Sequence, residues 1–298
     1  MSKHQHAPLR AQESGGEEKL MKKFLLIAFT LMAFAANSVL CRIALRGGHA
    51  DPETFSVLRL LAGAVVLLLL QLTLRGWRNI RWNVVNAGLL TAYVFLFSLA
   101  YVHLDTATGA LLLFGAVQVC MVLWGAWQGE KTGPRKLSGI AVAVAGIAIL
   151  LLPGASMPST VPAVMMIASG LAWGAYSVRG KRVSDPTGAT AGNFLLSVPI
   201  VATLFLLSPD HALVDKWGIL LALVSGGITS GLAYALWYVI VRDISSSTAS
   251  TLQLSVPCLA ALGGTLFLGE VPSVRMLVAA VLVLTGILIV IAADRPWP

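Results

Sequence analysis

The sequence predicts an all-α polytopic membrane protein, with ten transmembrane helices forming two inverted five-helix repeats and both termini cytoplasmic. Three observations carry this expectation. Apolar runs succeed one another from Phe24 to Ala293, Lys and Arg collect in alternate loops, and one polar skeleton occurs twice along the chain. Of the 298 residues 57% are hydrophobic and only 11% charged, whereas a soluble globular domain carries about a quarter charged residues. Little lies between the apolar runs, so no room remains for a soluble domain.

A spanning helix needs about 20 predominantly apolar residues. The first such run, 24–45, follows a polar tail, 1–23. From Met21 it shares the basic start, apolar centre and small-residue end of a secretory signal peptide. The apolar character continues past Asn37 to Leu45, however, so the segment is expected to remain as a spanning helix. The second run, 53–74, holds Arg59 within FSVLRLLAG. The third, 83–103, stacks Tyr93, Phe97 and Tyr101 at steps of four, and the fourth, 107–127, carries Gln118. The fifth, 135–152, closes a first half spanning 24–152.

The sixth run, 161–180, contains Trp173 and the pair Gly170/Gly174, whose G-x-x-x-G spacing permits close helix approach. The seventh, 187–207, is interrupted by Pro199, which removes a backbone hydrogen bond and allows a bend. The eighth, 217–241, brings Tyr234, Trp237 and Tyr238 together after a second small pair, Gly227/Gly231. The ninth, 247–268, carries Gln253 and Pro257, and the tenth, 273–293, completes a second half spanning 161–293.

The net charge of +8 is explained by position, with no need of a nucleic-acid partner. Lys19, Lys22 and Lys23, then Arg75, Arg78 and Arg81, then Lys131, Arg135 and Lys136, then Arg179, Lys181 and Arg182 all fall on one side of this layout. The opposite loops hold few cations, such as Arg46, Lys216 and Arg275. The positive-inside rule puts the basic side in the cytoplasm. Cys41, Cys120 and Cys258 lie within apolar runs, which indicates neither a disulfide framework nor a thiolate metal site. His4 and His6 form an H-x-H in the tail, and no metal is assigned to them.

Sliding the chain on itself aligns Gly129-Glu130, Arg135, Leu137, Gly146 and Ile147 with Gly269-Glu270, Arg275, Leu277, Gly286 and Ile287, all at an offset of 140 residues. Asp51-Pro52 pairs with Asp185-Pro186, Trp82 with Trp217, and FAANSVLCR with WGAYSVRGK at slightly smaller offsets. Each half then holds five helices. Because five is odd, the second copy enters the membrane from the other side, the inverted repeat common in transporters.

These features resemble a known family: the small-aromatic-Asn stretch in the first helix, Trp173-Gly174 in the sixth, and Gly-Glu ending the fourth and ninth. The chain is similar to EamA-type members of the drug/metabolite transporter superfamily, and within it to the YddG group of aromatic amino-acid exporters. The resemblance covers nearly everything from Phe24 to Ala293. It implies a multi-pass protein of the bacterial inner membrane that exports small metabolites, with aromatic amino acids as substrates, no cofactor and no enzymatic activity.

Helical spacing indicates which side chains converge. Phe34, Asn37, Ser38, Cys41 and Arg42 share one face of the first helix, and Trp173, Tyr176 and Ser177 share the matching face of the sixth. A buried amide or phenol in lipid must find a partner, so these groups point into the bundle or at a polar cavity. The candidate substrate-binding set is Asn37, Ser38, Tyr93, Phe97, Gln118, Trp173, Tyr176, Tyr234, Trp237, Tyr238 and Gln253. The competing assignment is interhelical packing and interfacial aromatic belts, which we expect for Tyr101, Trp82 and Trp217 near helix ends. An aromatic pocket suits a flat apolar ligand with amides orienting its polar end. That fits aromatic and other apolar amino acids, and equally hydrophobic cations.

Two charged features are expected to be structural. Arg59 either attracts a carboxylate in an outer vestibule or, as expected, snorkels outward or pairs with Asp51 or Glu53. Glu130 and Glu270 each precede an arginine, Arg135 and Arg275, where an ion pair or capping bond would fix the hairpin angle. All thirteen Asp and Glu residues lie in the tail or at helix ends. A facilitator working by alternating access is therefore expected ahead of a proton-coupled exporter of drugs or hydrophobic cations using Asp105, Glu130 or His103. An intramembrane enzyme is disfavoured by the lack of H-E-x-x-H, of G-x-S-x-G and of any mid-depth general base. The partners implied are a small-molecule substrate and the lipid bilayer. One chain holding both halves is sufficient as a monomer and equally compatible with a homodimer.

Overall fold

Short polar residues punctuate the apolar runs and start the helices. A computed structural model describes residues 7–129, 133–152, 157–208, 213–244, 249, 252–253 and 255–294. Its helices are α1 (Ala7–Arg46), α2 (Pro52–Leu74), α3 (Val84–Tyr101), α4 (Thr106–Trp127), α5 (Pro134–Leu150), α6 (Thr160–Gly180) and α7 (Pro186–Leu207). There follow α8 (Lys216–Gly226), a π-helical segment (Gly227–Leu232) that runs on into α9 (Ala233–Arg242), then α10 (Ser255–Leu268) and α11 (Val274–Asp294). Asp51, Asn83, Asp185 and Asp215 cap α2, α3, α7 and α8, each accepting from the N–H three residues on. Each such cap is worth about 1 kcal/mol to its helix. In α2 and α7 the cap is followed by proline, whose missing N–H is no loss in a first turn.

Among the described residues seven segments are long and apolar enough to cross a membrane: Met21–Arg46, Pro52–Leu74, Val84–Tyr101, Thr106–Trp127, Thr160–Gly180, Pro186–Leu207 and Lys216–Arg242. The helices α5 and α10 are shorter. Helix α1 begins well before the expected start at 24, drawing residues 7–23 of the expected tail into the same helix. Ala, Glu, Lys and Leu, all good helix formers, supply most of that extension. His4, His6, Glu130 and much of 247–254 lie outside the described residues.

Helix α5 packs along α11, α2 along α7 and α8, α3 along α6 and α7, α4 along α6 and α10, and α1 along α8 to α10. Small residues set the closest approaches. A Cβ on Gly170 would lie 2.4 Å from the Leu113 carbonyl oxygen, and one on Gly226 only 2.0 Å from that of Arg59. The matched residues Gly146 and Gly286 both face the α5–α11 contact.

Turns gather at two ends. At one, Asp51 N–H donates to the Leu213 carbonyl, Ala50 bridges Val214, and His49 meets Asp215 at 2.7 Å. The Gly218 N–H first, and then His49, hold the Asp215 carboxyl below its ordinary value. At the other end, Arg75 pairs with Asp185, Arg179 donates to Asn86, Arg182 to Gln128, and Arg242 to the Ser184 carbonyl. The basic loops therefore share one end of the molecule.

Three expectations are corrected. Gly129 and Gly269 have φ of 86° and 65°, a left-handed conformation that glycine adopts without strain, so the repeated glycine belongs to a repeated turn. The carboxylate beside the second one does not pair with Arg275, however. Glu270 is buried and accepts from Arg42 Nε at 3.0 Å and from the Thr106 N–H at 2.8 Å, with Arg46 at 3.4 Å. The first turn of α4 offers unpaired N–H groups and the positive end of a helix dipole, which outcompete an exposed neighbour in sequence. Arg275 donates instead to the Leu152 carbonyl. Second, Tyr101 is buried, with its hydroxyl directed at the Thr106 carbonyl, while Trp82 and Trp217 are exposed as a belt requires. The third correction concerns Arg59.

Candidate functional site

Arg59 neither snorkels nor pairs with Asp51 or Glu53. Its side chain has no solvent exposure. Nε donates to Ser230 Oγ at 3.0 Å, and Nη2 to the Tyr234 and Tyr93 hydroxyls at 2.8 and 3.2 Å. The guanidinium also lies 5.0 Å from the Phe97 ring centroid and 5.5 Å from that of Tyr93. Nη1 has no hydrogen-bond partner among the described residues. Close contact of Gly226 with the Arg59 backbone draws α2 against α8, while Ser230, Tyr93, Tyr234 and Phe97 enclose the side chain.

The two phenols that cap Arg59 belong to an aromatic cluster. Tyr234 donates to the Tyr93 hydroxyl at 2.9 Å, and Trp173 stands 4.5 Å from Tyr234 and 5.1 Å from Tyr93 between ring centroids. Phe34 meets Trp173, Tyr234 and Trp237 edge-on at 5.4, 5.8 and 5.7 Å. Phe34, Tyr93, Trp173 and Tyr234, with Ser38, Phe97, Leu113 and Phe114, enclose a cavity of about 10 Å³, room for about one water. Its walls come from α1, α3, α4, α6 and α9. Edge-to-face pairs contribute about 0.5–1.5 kcal/mol each beyond burial, so the rings are held in a defined arrangement.

The sequence-predicted residues divide into groups. Ser38, Tyr93, Phe97, Trp173 and Tyr234 line the cavity. Gln253 stands behind it, accepting from the Trp173 indole N–H at 2.9 Å. Trp237 packs on Phe34 and donates to Ser177. Tyr176 and Tyr238 stack at 4.9 Å, and the Tyr238 hydroxyl donates to the Tyr176 carbonyl, forming the next layer towards the basic end. Asn37 turns away, its carbonyl accepting from Ser225 and Thr229 of the α8 region. Gln118 is buried, and its amide nitrogen has no hydrogen-bond partner among the described residues. The cavity residues left out of the candidate set are Phe34, Leu113 and Phe114, together with Arg59 behind them. Phe34 was on the predicted face; an arginine inside an apolar run was the available signal for Arg59, while Leu113 and Phe114 are ordinary apolar residues in sequence.

Comparison with known proteins gives this architecture a family. The profile of the EamA-like transporter family matches residues 21–152 and again 160–292. The chain belongs to the EamA-like transporter family. Within this family it is 43% identical to an uncharacterised protein of Pseudomonas aeruginosa, across 91% of this chain and 95% of that one. It is 24% identical to an uncharacterised transporter of Archaeoglobus fulgidus, covering 92% and 99% of the two chains. A probable terminal-alkyne amino-acid exporter of Streptantibioticus cattleyicolor is 26% identical, with 91% and 94% covered. A solved crystal structure superimposes with a TM-score of 0.62 at 21% identity, across 88% of this chain and 96% of that one. The EamA-like chain is thus a membrane transporter and not an enzyme.

Proposed function

We propose that the protein exports amino acids, aromatic and other apolar ones, by alternating access between two inverted five-helix halves, 24–152 and 161–293. One observation carries the reading: side chains from corresponding predicted spans of the two halves meet at the cavity. Phe34 and Trp173, matched in sequence, touch edge-on, and Tyr93 and Tyr234, from the third and eighth predicted spans, share a hydrogen bond. Contact between matched residues is what a pseudo-twofold axis through the centre requires, and transporters built from inverted repeats bind cargo there. The two family-profile matches, one per half, support the same division. The helix pairings do too, since α4 on α6 is mirrored by α10 on α1.

Stacked rings with few polar groups favour a flat apolar body, and a 26% identical relative is named as a probable amino-acid exporter. The cavity is too small for such a cargo as it stands, so loading requires the walls to part. The basic end carrying Arg75, Arg81, Arg179 and Arg182 is the cytoplasmic one by the positive-inside rule, in keeping with both termini inside, and the proposed site of action is the bacterial inner membrane. One chain suffices as the transporting unit.

Counterflow tests this reading. Proteoliposomes loaded with unlabelled L-phenylalanine should accumulate labelled L-phenylalanine, and Trp173→Ala should reduce that uptake by about tenfold or more, the worth of a lost stacking and packing contact. Absence of counterflow for every apolar amino acid would remove the assignment. A facilitator is the first reading of energetics. Proton coupling is the second, favoured by Glu270, a buried carboxylate joining α1, α4 and the turn before α11. Flux driven by an imposed pH gradient alone would decide for it.

A further inference from the structure

Arg59 is a cation enclosed in the protein interior with no anion beside it among the described residues. Each of its three hydrogen-bond partners, Ser230, Tyr93 and Tyr234, is a neutral hydroxyl. Nη1 remains unpartnered, and the ion pairs of the described residues do not include Arg59. An uncompensated charge in a low-dielectric interior is costly, and a chain retains one where a partner arrives from outside. Tyr93, Phe97 and Tyr234 touch the guanidinium on one side and line the cavity on the other. Among the described residues no carboxylate lines that cavity.

We infer that Arg59 is the anchor for a carboxylate on the cargo, and that the site selects apolar organic carboxylates with or without an α-ammonium group. The inference rests on the proposed export of apolar amino acids and sharpens it. Arginine's planar fork matches a carboxylate through two parallel N–H donors, and Nη1 is the donor still open. The phenols of Tyr93 and Tyr234, now bonded to each other and to Nη2, separate to admit the carboxylate while the rings of Trp173 and Phe34 take the apolar body. An ammonium group meets no acidic partner in the wall and meets repulsion from Arg59. A hydrophobic cation is therefore the wrong cargo, and the amino group of an amino acid contributes little.

The test compares four probes of one shape on the purified full-length protein: L-phenylalanine, 3-phenylpropanoate, 2-phenylethylamine and L-phenylalaninamide. Ligand-induced thermal stabilisation and inhibition of counterflow are both read. L-Phenylalanine and 3-phenylpropanoate should act at similar concentrations, while the amine and the amide should need about tenfold more or fail altogether, the worth of one charge-assisted hydrogen bond. Amine or amide matching L-phenylalanine would overturn the inference and leave amino-acid export standing. Action by 3-phenylpropanoate without L-phenylalanine would keep the inference and remove the amino-acid reading. Failure of both carboxylates would overturn the inference. Arg59→Gln, if it elutes as a monodisperse species, should lose the preference for carboxylates, and retention of that preference overturns the inference. If that variant does not fold, the four-probe comparison on the unaltered protein decides alone.

Discussion

Arg42 and Glu270 stand 228 residues apart in the chain and 3.0 Å apart in space, both nearly out of reach of water. The Arg42 guanidinium also donates to the Tyr101 and Val102 carbonyls and reaches Asp105. This cluster ties α1 to the α3–α4 turn and to the start of the last helix. Removing one member of a buried pair leaves the other uncompensated, at a cost of about 3–5 kcal/mol. Glu270→Ala should therefore lower the unfolding midpoint in detergent by several degrees. Arg275→Gln, which alters an exposed contact to a carbonyl, should lower it much less. Equal losses would restore the local hairpin pairing.

Close helix approach predicts a contrast between two glycines. Gly226→Ala drives a methyl group into the Arg59 backbone, an overpacking that costs about 1–3 kcal/mol and pushes α2 from α8. Gly88 of α3 has open space where its Cβ would lie. Gly88→Ala should stabilise by about 0.5–1 kcal/mol through helix propensity. Thermal unfolding of the two variants side by side checks the sign of each.

The phenols around Arg59 should differ in weight. The Tyr234 hydroxyl lies 2.8 Å from Nη2 and the Tyr93 hydroxyl 3.2 Å. Loss of a hydrogen bond to a charged group costs about 1.5–3 kcal/mol, so Tyr234→Phe should destabilise more than Tyr93→Phe. The double variant should fall short of the sum, because the two hydroxyls also bond each other. Chemical unfolding of the set measures this coupling.

Acidification should weaken the turn held by Asp215. Its carboxyl titrates below the ordinary value of 3.8 because the Gly218 N–H and His49 favour the charged form. A group lowered on folding adds stability above its unfolded value, and that stability disappears as pH falls through the folded value. The midpoint difference between the native protein and Asp215→Ala should thus be constant at mildly acidic pH. It should shrink only below the usual carboxylate range.

Helix bounds were legible because length and hydropathy fix them: 187–207 was expected against Pro186–Leu207, and 161–180 against Thr160–Gly180. The aromatic core was legible for a related reason, since spacing puts Tyr93 and Phe97 on one face and buried phenols need partners. Arg59 is misread because a cation in an apolar run ordinarily snorkels, and only tertiary contact with Ser230, Tyr93 and Tyr234 holds it inside. Glu270 was misread because its partners, Arg42 and the Thr106 N–H, are set by tertiary contact and not by neighbours in sequence. Asn37 shares a face with Ser38, yet its side-chain carbonyl is taken by Ser225 and Thr229, partners set by tertiary contact.

The π-helical turn at Gly227–Leu232 has a consequence for how this helix tolerates change. A widened turn holds one residue more than an α-helical path would, and each residue advances a helix by about 100°. Deleting a single residue between Gly227 and Leu232 would let the turn relax to α-helix while preserving the length and composition of the span. Because the wide turn already absorbs the extra residue, the segment beyond it would keep its facing, and Tyr234, Trp237 and Tyr238 would stay in the interior. A one-residue deletion there should be tolerated better than the same deletion within α9, where no wide turn exists to absorb it and everything beyond would rotate by about 100°.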